Sequence, residues 1–270
     1  MPVADIDLSR RIVYPVDARA AVARRRLVYE TEGESDLVMD VYGPADPAMR
    51  VALPVLLFVH GGPIPREMLA PTEWGVFQSY GELAVASGFV GVVFNHRLHA
   101  PTDYPTSQSD MQAAIEYVRS HASDLGVDAD RIGVWVFSGG GPLLSWCLRD
   151  RPAFVRCLVA FYAILDVRHL LPLDAGGELV ARAHAFSPAA HVGAAAATLP
   201  IFVTRAGRDN PVVKISIDTF VREALTAEVS LDLLNHADGQ HGFDVLDDDE
   251  RSREIIGRAI AFAKARLLAG

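Results

Sequence analysis

The stretch Ile132-Gly133-Val134-Trp135-Val136-Phe137-Ser138-Gly139-Gly140-Gly141 runs from an apolar segment straight into a serine followed by three glycines. Its first six residues are hydrophobic without alternation, as in a strand buried on both faces. A helical pattern follows, from Gly141 to Arg149. A serine at such a corner is held on a sharp turn with its hydroxyl exposed. Glycines behind it let helix and strand approach closely. The stretch predicts a strand–turn–helix unit within an α/β sheet and makes Ser138 a candidate nucleophile.

Further apolar, β-branched runs lie on either side: Leu27 to Tyr29, Leu37 to Tyr42, Val55 to Val59, Phe89 to Phe94, Val155 to Ala163, Ile201 to Thr204 and Val229 to Leu234. Leu37 to Tyr42 partly alternates, which suits an outer antiparallel strand. Helical patterns occupy Thr106 to Ser120, with Met111, Ala114, Ile115 and Val118 on one face, then Ile215 to Ala227 and Glu250 to Leu268. From about residue 55 onward strand and helix alternate, so residues 1–270 read as one α/β domain with a mostly parallel sheet covered on both faces. Arg168 to Leu199, rich in Ala, Gly and Leu, breaks that rhythm. It reads either as a small helical cap over the sheet or as an ordinary connection with a short helix.

Three other segments carry chemistry. Asp209 lies in Gly207-Arg208-Asp209-Asn210-Pro211, just after a predicted buried strand, where a carboxylate is placed to accept a bond from an imidazole. It also suits a turn or a helix cap, and Asp166 is a rival acid. The segment His236-Ala237-Asp238-Gly239-Gln240-His241-Gly242-Phe243 offers two bases, His236 and His241. Val55-Leu56-Leu57-Phe58-Val59-His60-Gly61-Gly62-Pro63 is a strand ending in glycines whose backbone N–H groups can approach a ligand. Pro63 has no N–H to give.

Taken together, these segments resemble the α/β-hydrolase family, in particular its esterases and dienelactone-hydrolase-like members. The elbow G-x-S-x-G of that family is similar to Val136-Phe137-Ser138-Gly139-Gly140, with Val136 where the family has a small residue. The order Ser138, Asp209, His241 is the family's order along the chain. His241-Gly242-Phe243 resembles its histidine loop, and His60-Gly61-Gly62 its oxyanion loop. Asn95-His96-Arg97-Leu98, Tyr104-Pro105 with Asp110, and Ser187-Pro188 extend the likeness over roughly residues 26 to 265. The resemblance implies an eight-stranded, mostly parallel sheet, with Ser138 as nucleophile, His241 as base and Asp209 as the acid that orients it. It implies an oxyanion hole from the N–H groups of Gly139 and of Gly62 or Gly61, structural roles for His60 and Arg97, and no cofactor or metal. The implied reaction is hydrolysis of a small carboxylic ester through an acyl-enzyme. Amide, lactone or C–C bond hydrolysis would use the same groups, and an inactive binding scaffold is the reading outside enzymes. The loop after His60, Arg168 to Leu199, Trp74 and Phe77 would wall the pocket. A dinucleotide-binding reading fails, because no G-x-G-x-x-G opens the first strand–helix unit.

Composition narrows the partners. The chain has 270 residues, half of them hydrophobic, and a formal net charge of −9. A surface of that sign repels a phosphate backbone, and the one basic run, Arg24-Arg25-Arg26, reads as a solvated approach to a strand. Cys147 and Cys157 lie ten apart with no metal or redox spacing, and read as buried thiols in a reducing compartment. Met1 to Asp7 shows no cationic start followed by an apolar region, and no apolar run reaches the roughly 20 residues of a membrane span. The expectation is a cytoplasmic monomer or homodimer that acts on a small molecule, away from membranes and nucleic acid.

Overall fold

A computed structural model of the chain describes residues 7–17, 19–32, 35–46, 48, 52–172, 174–193 and 198–268. The reading of residues 1–6 as free of a leader, and most of the Ala-rich run 193–197, lie outside the described residues.

Every apolar run named above falls on a strand, with β1 and β5 each beginning five residues before their runs: β1 (Val22–Glu32), β2 (Ser35–Pro44), β3 (Leu53–Val59), β4 (Val90–Phe94), β5 (Val127–Phe137), β6 (Val155–Phe161), β7 (Ile201–Ala206) and β8 (Leu231–His236). They form one eight-stranded sheet in the order β1-β2-β4-β3-β5-β6-β7-β8. β2 is antiparallel to both β1 and β4, as its alternation predicts, and the other pairings are parallel. β3 and β5 lie side by side, so the His60 loop and the Ser138 corner leave the sheet at the same edge.

Helices α2 (Tyr104–Ser120), α4 (Leu144–Asp150) and α6 (Pro211–Thr226) cover one face, where Met111, Ile115, Leu144, Ile217 and Phe220 share a core with strand residues such as Leu57 and Val134. Helices α1 (Gly75–Ala86) and α8 (Glu250–Leu267) cover the other, with Phe77, Tyr80, Ile256 and Phe262 packed among Phe58, Trp135 and Phe161. Shorter helices are α3 (Ala122–Leu125), α5 (Gly177–Ala185) and α7 (Phe243–Leu246). No described helix is long and apolar enough to cross a membrane.

Three expectations change. The sequence reading passes over α1, whose Gly75 and Gly81 weaken helix propensity. Gly81 is there for packing, since a Cβ would lie 2.4 Å from the Tyr42 ring. Phe77 is a buried member of α1 whose ring packs on Phe137. The arginine run is part of β1 and not a solvated approach: Arg24 and Arg26 both bond the fully buried Asp40 of β2, while Arg25 points the other way to Asp124. Within Arg168 to Leu199 the chain makes a tight turn at Arg168–Leu170, then α5, whose one buried residue is Ala183, then a turn at Pro188–Ala190.

Cys147 and Cys157 are free and buried, and burial pushes both thiols up to about 12. The native protein is therefore expected to leave a thiol-reactive dye unconsumed at pH 8, with both thiols appearing on unfolding in guanidinium.

Candidate active site

β5 delivers Ser138 at its C-terminal end, where the backbone turns to φ 50°, a left-handed conformation that few non-glycine residues adopt. The next six residues, Ser138–Leu143, form a tight 3-10 turn before α4 begins at Leu144. The helix thus starts three residues later than its pattern suggests. Val136 is fully buried between Val59 of β3 and Ala160 of β6. Its bulk leaves the left-handed corner at Ser138 intact.

Asp209 follows β7 and His241 follows β8. The two loops are tied to each other, because Gly207 and Arg208 donate their N–H groups to the carbonyls of His236 and Gly239. His241 Nδ1 lies 2.8 Å from Asp209 Oδ2, and His241 Nε2 lies 2.8 Å from Ser138 Oγ. A carboxylate only accepts, so Nδ1 carries the proton and Nε2 is left to accept from the serine hydroxyl. The Asp209 side chain is 1% exposed and that of His241 41%. The other oxygen of Asp209 accepts from the N–H of Asn210 at 2.6 Å. An imidazole held between a hydroxyl and a buried carboxylate can take the hydroxyl proton while its tautomer stays fixed.

The rival residues lie elsewhere. Asp166 accepts two bonds from the Arg168 side chain, and His236 faces Ser252 and Asp249. His96 is buried and stacked on His60 with ring centroids 3.6 Å apart. Burial lowers His60 well below the usual imidazole range and His96 to about 3, so both are neutral supports. His60 Nδ1 donates to the Gly61 carbonyl at 2.6 Å, and the His96 N–H donates to His60 Nε2. These bonds brace the loop after β3. Arg97 and Asp110 form a multiply bonded ion pair, the structural role expected for Arg97.

That loop closes over Ser138. A Cβ on Gly61 would lie 2.8 Å from Ser138 Cβ, and one on Gly139 would lie 2.0 Å from the Gly62 carbonyl oxygen. Gly140 and Gly141 are pressed as closely, against the carbonyls of His60 and Ile164. The N–H groups of Gly61, Gly62 and Gly139 have no acceptor among the described residues. The Tyr104 hydroxyl donates to the Gly139 carbonyl at 3.1 Å and steadies that peptide. Gly139→Ala is expected to force the elbow away from the Gly62 loop. A misplaced donor of this kind costs about 10²- to 10³-fold in kcat, to be read in a short-chain ester assay alongside a thermal melt.

Among the described residues no three His, Cys, Asp or Glu side chains cluster as a metal site. Sequence reasoning missed Tyr80, Tyr162 and Asp244. Tyr162 packs its ring on His241, with centroids 4.7 Å apart, and donates its hydroxyl to Asp244. No local pattern marks them, because they meet only through the fold.

Comparison with known proteins places this geometry in context. Residues 95–265 match the family model described as the dienelactone hydrolase family, and residues 39–147 match the model BD-FAE. The chain belongs to the dienelactone hydrolase family. Among curated relatives it is 34% identical to carboxylesterase NlhH of Mycobacterium tuberculosis over 110 residues, 41% of this chain and 33% of that protein. It is 27% identical to carboxylesterase 3 of Homo sapiens over 117 residues, 42% of this chain and 20% of that protein. The matches thus span a fifth to a third of the length of these relatives. Among solved structures, this dienelactone hydrolase family member resembles the propionate-bound esterase Est2 of Thermogutta terrifontis at a TM-score of 0.73, with 22% identity over 92% of this chain and 96% of that one. The same esterase phosphorylated by paraoxon aligns at a TM-score of 0.68, with 20% identity over 91% and 93% of the two chains. The α/β-hydrolase fold is shared throughout.

Proposed function

We propose that this dienelactone hydrolase family member is a serine hydrolase that cleaves small carboxylic esters. The observation that carries the reading is the unbroken relay from Ser138 Oγ through His241 to Asp209, both contacts at 2.8 Å, beside backbone N–H groups that no described residue engages. A neutral serine is a poor nucleophile. His241 takes its proton as Oγ attacks the ester carbonyl, and Asp209 stabilises the imidazolium that results. The N–H groups of Gly139 and Gly62 receive the negative charge on the carbonyl oxygen. Collapse of the tetrahedral intermediate expels the alcohol, which takes the proton back from His241. Water, deprotonated in turn by His241, then releases the acid and restores Ser138.

The carboxylesterase relatives support an ester over an amide or a C–C bond, and the esterase modified by paraoxon supports an organophosphate as a reporter. The left-handed corner at Ser138, kept with Val136 buried two residues before it, supports the same reading. The test is reaction with a fluorophosphonate probe, followed by mass spectrometry of peptides. The adduct is expected on Ser138, blocked by prior treatment with paraoxon. A folded protein that takes no label, or takes it on another residue, overturns the proposal.

A further inference from the structure

Asp244 lies in α7, three residues beyond His241, and its side chain is completely buried. Its side-chain partners are the phenols of two buried tyrosines, Tyr80 and Tyr162, a setting that gives a carboxylate little solvation. Each of its oxygens accepts one phenol: Oδ2 from Tyr80 of α1 at 2.6 Å, and Oδ1 from Tyr162 at 2.7 Å. Burial pushes the carboxyl up from its usual range, and the two phenol bonds pull against that shift. The acid satisfies two buried phenols that an apolar side chain in its place would leave unpaired, and one of those phenols belongs to the ring that stands against His241.

Tyr162 follows β6 and takes φ 39°, again in the left-handed region. Its N–H donates to the buried Thr204 hydroxyl at 3.1 Å, and its own hydroxyl is tied to Asp244. The ring is thus fixed at both ends, and it stands against the His241 imidazole at 61°. His241 has one bond to Asp209 and one to Ser138, and is otherwise half open to solvent. Those two bonds set the direction of the ring nitrogens, but they leave the ring able to rock about the line between them. Tyr162 supplies the wall on the protein side.

We propose that Asp244 is a second positioning residue for His241, acting through the tethered ring of Tyr162. The proposal rests on the reading of His241 as the base. Tyr80 provides the internal comparison, because it gives Asp244 the same kind of bond from α1, while the ring packed on His241 is that of Tyr162.

The experiment compares Tyr162→Phe with Tyr80→Phe in full kinetics on a short-chain ester, with thermal melts of both. Each variant removes one phenol from the same carboxylate, so similar falls in Tm are expected. Tyr162→Phe is expected to lower kcat about tenfold with KM within about twofold, since small misplacements of a reacting group are costly. Tyr80→Phe is expected to lower kcat no more than about threefold, the indirect share of the same tether. Asp244→Asn, whose amide oxygen can accept from one phenol while its NH₂ donates to the other, is expected to retain more activity than Asp244→Leu. Equal kcat losses in the two tyrosine variants, or an unchanged kcat in Tyr162→Phe, would overturn the proposal while leaving fluorophosphonate labelling at Ser138 in place. Wild-type protein that neither labels at Ser138 nor hydrolyses esters would instead overturn the functional reading beneath it.

Discussion

Replacing His241 with alanine is expected to lower kcat/KM for a short-chain ester by about 10⁴- to 10⁶-fold, the scale on which triad members act as one unit. The nucleophile keeps its place, because the elbow is held by the backbone of β5 and by the Ile164 N–H, which donates to the Ser138 carbonyl. The hydroxyl, however, loses the imidazole nitrogen that accepts its proton. With its side chain 41% exposed, His241 contributes little to the core, so Tm is expected to move by only a few degrees. A stopped assay with p-nitrophenyl acetate, corrected for spontaneous hydrolysis, reads the loss. Retention of more than about a hundredth of the activity in a folded variant would show that His241 is not the base.

Asp209→Asn carries the second large effect, and here the local bonds choose the outcome. The N–H of Asn210 points at one oxygen of residue 209. In the variant that contact is made by the amide oxygen, and the amide NH₂ is left facing His241 Nδ1. A donor there demands an accepting Nδ1, which puts the proton on Nε2, toward Ser138. The imidazole then presents a hydrogen where it must present a lone pair. The expected loss in kcat is about 10⁴-fold at neutral pH with little change in KM, because the geometry survives and the tautomer does not. Asp209→Ala is expected to be less instructive, since it also leaves the Asn210 N–H without its partner.

Much of this is legible in the amino-acid sequence. The strands at the centre of the sheet were legible because they are buried and written in apolar runs, and Leu37 to Tyr42 announced an outer strand by alternating. Ser138 was legible because glycines mark a corner, and His241 because of the Gly-Phe that follows it. What escaped notice was written in contacts between distant elements. α1 hid behind Gly75 and Gly81, which serve close packing at the expense of helix propensity. The Arg24 to Arg26 run looked solvated because Asp40, which it encloses, lies on the next strand. Asp244 and Tyr162 are 82 residues apart, and neither spells a motif. Asp209 stood between: a residue as suited to a cap as to a site, decided only when β7 and β8 set it beside His241.

The crowding behind Ser138 also bears on how such a chain can change over generations. Gly139, Gly140 and Gly141 face three different carbonyls, those of Gly62, His60 and Ile164, each nearer than a methyl group can come. No two of them share an obstacle, so no single compensating replacement elsewhere relieves more than one. Drift at these codons has nowhere to go, while Val136, two places before the serine, shows that the other side of the corner accepts a larger side chain. Change in this chain would therefore run through segments such as α5, which lies largely in solvent, and not through the turn that holds the serine.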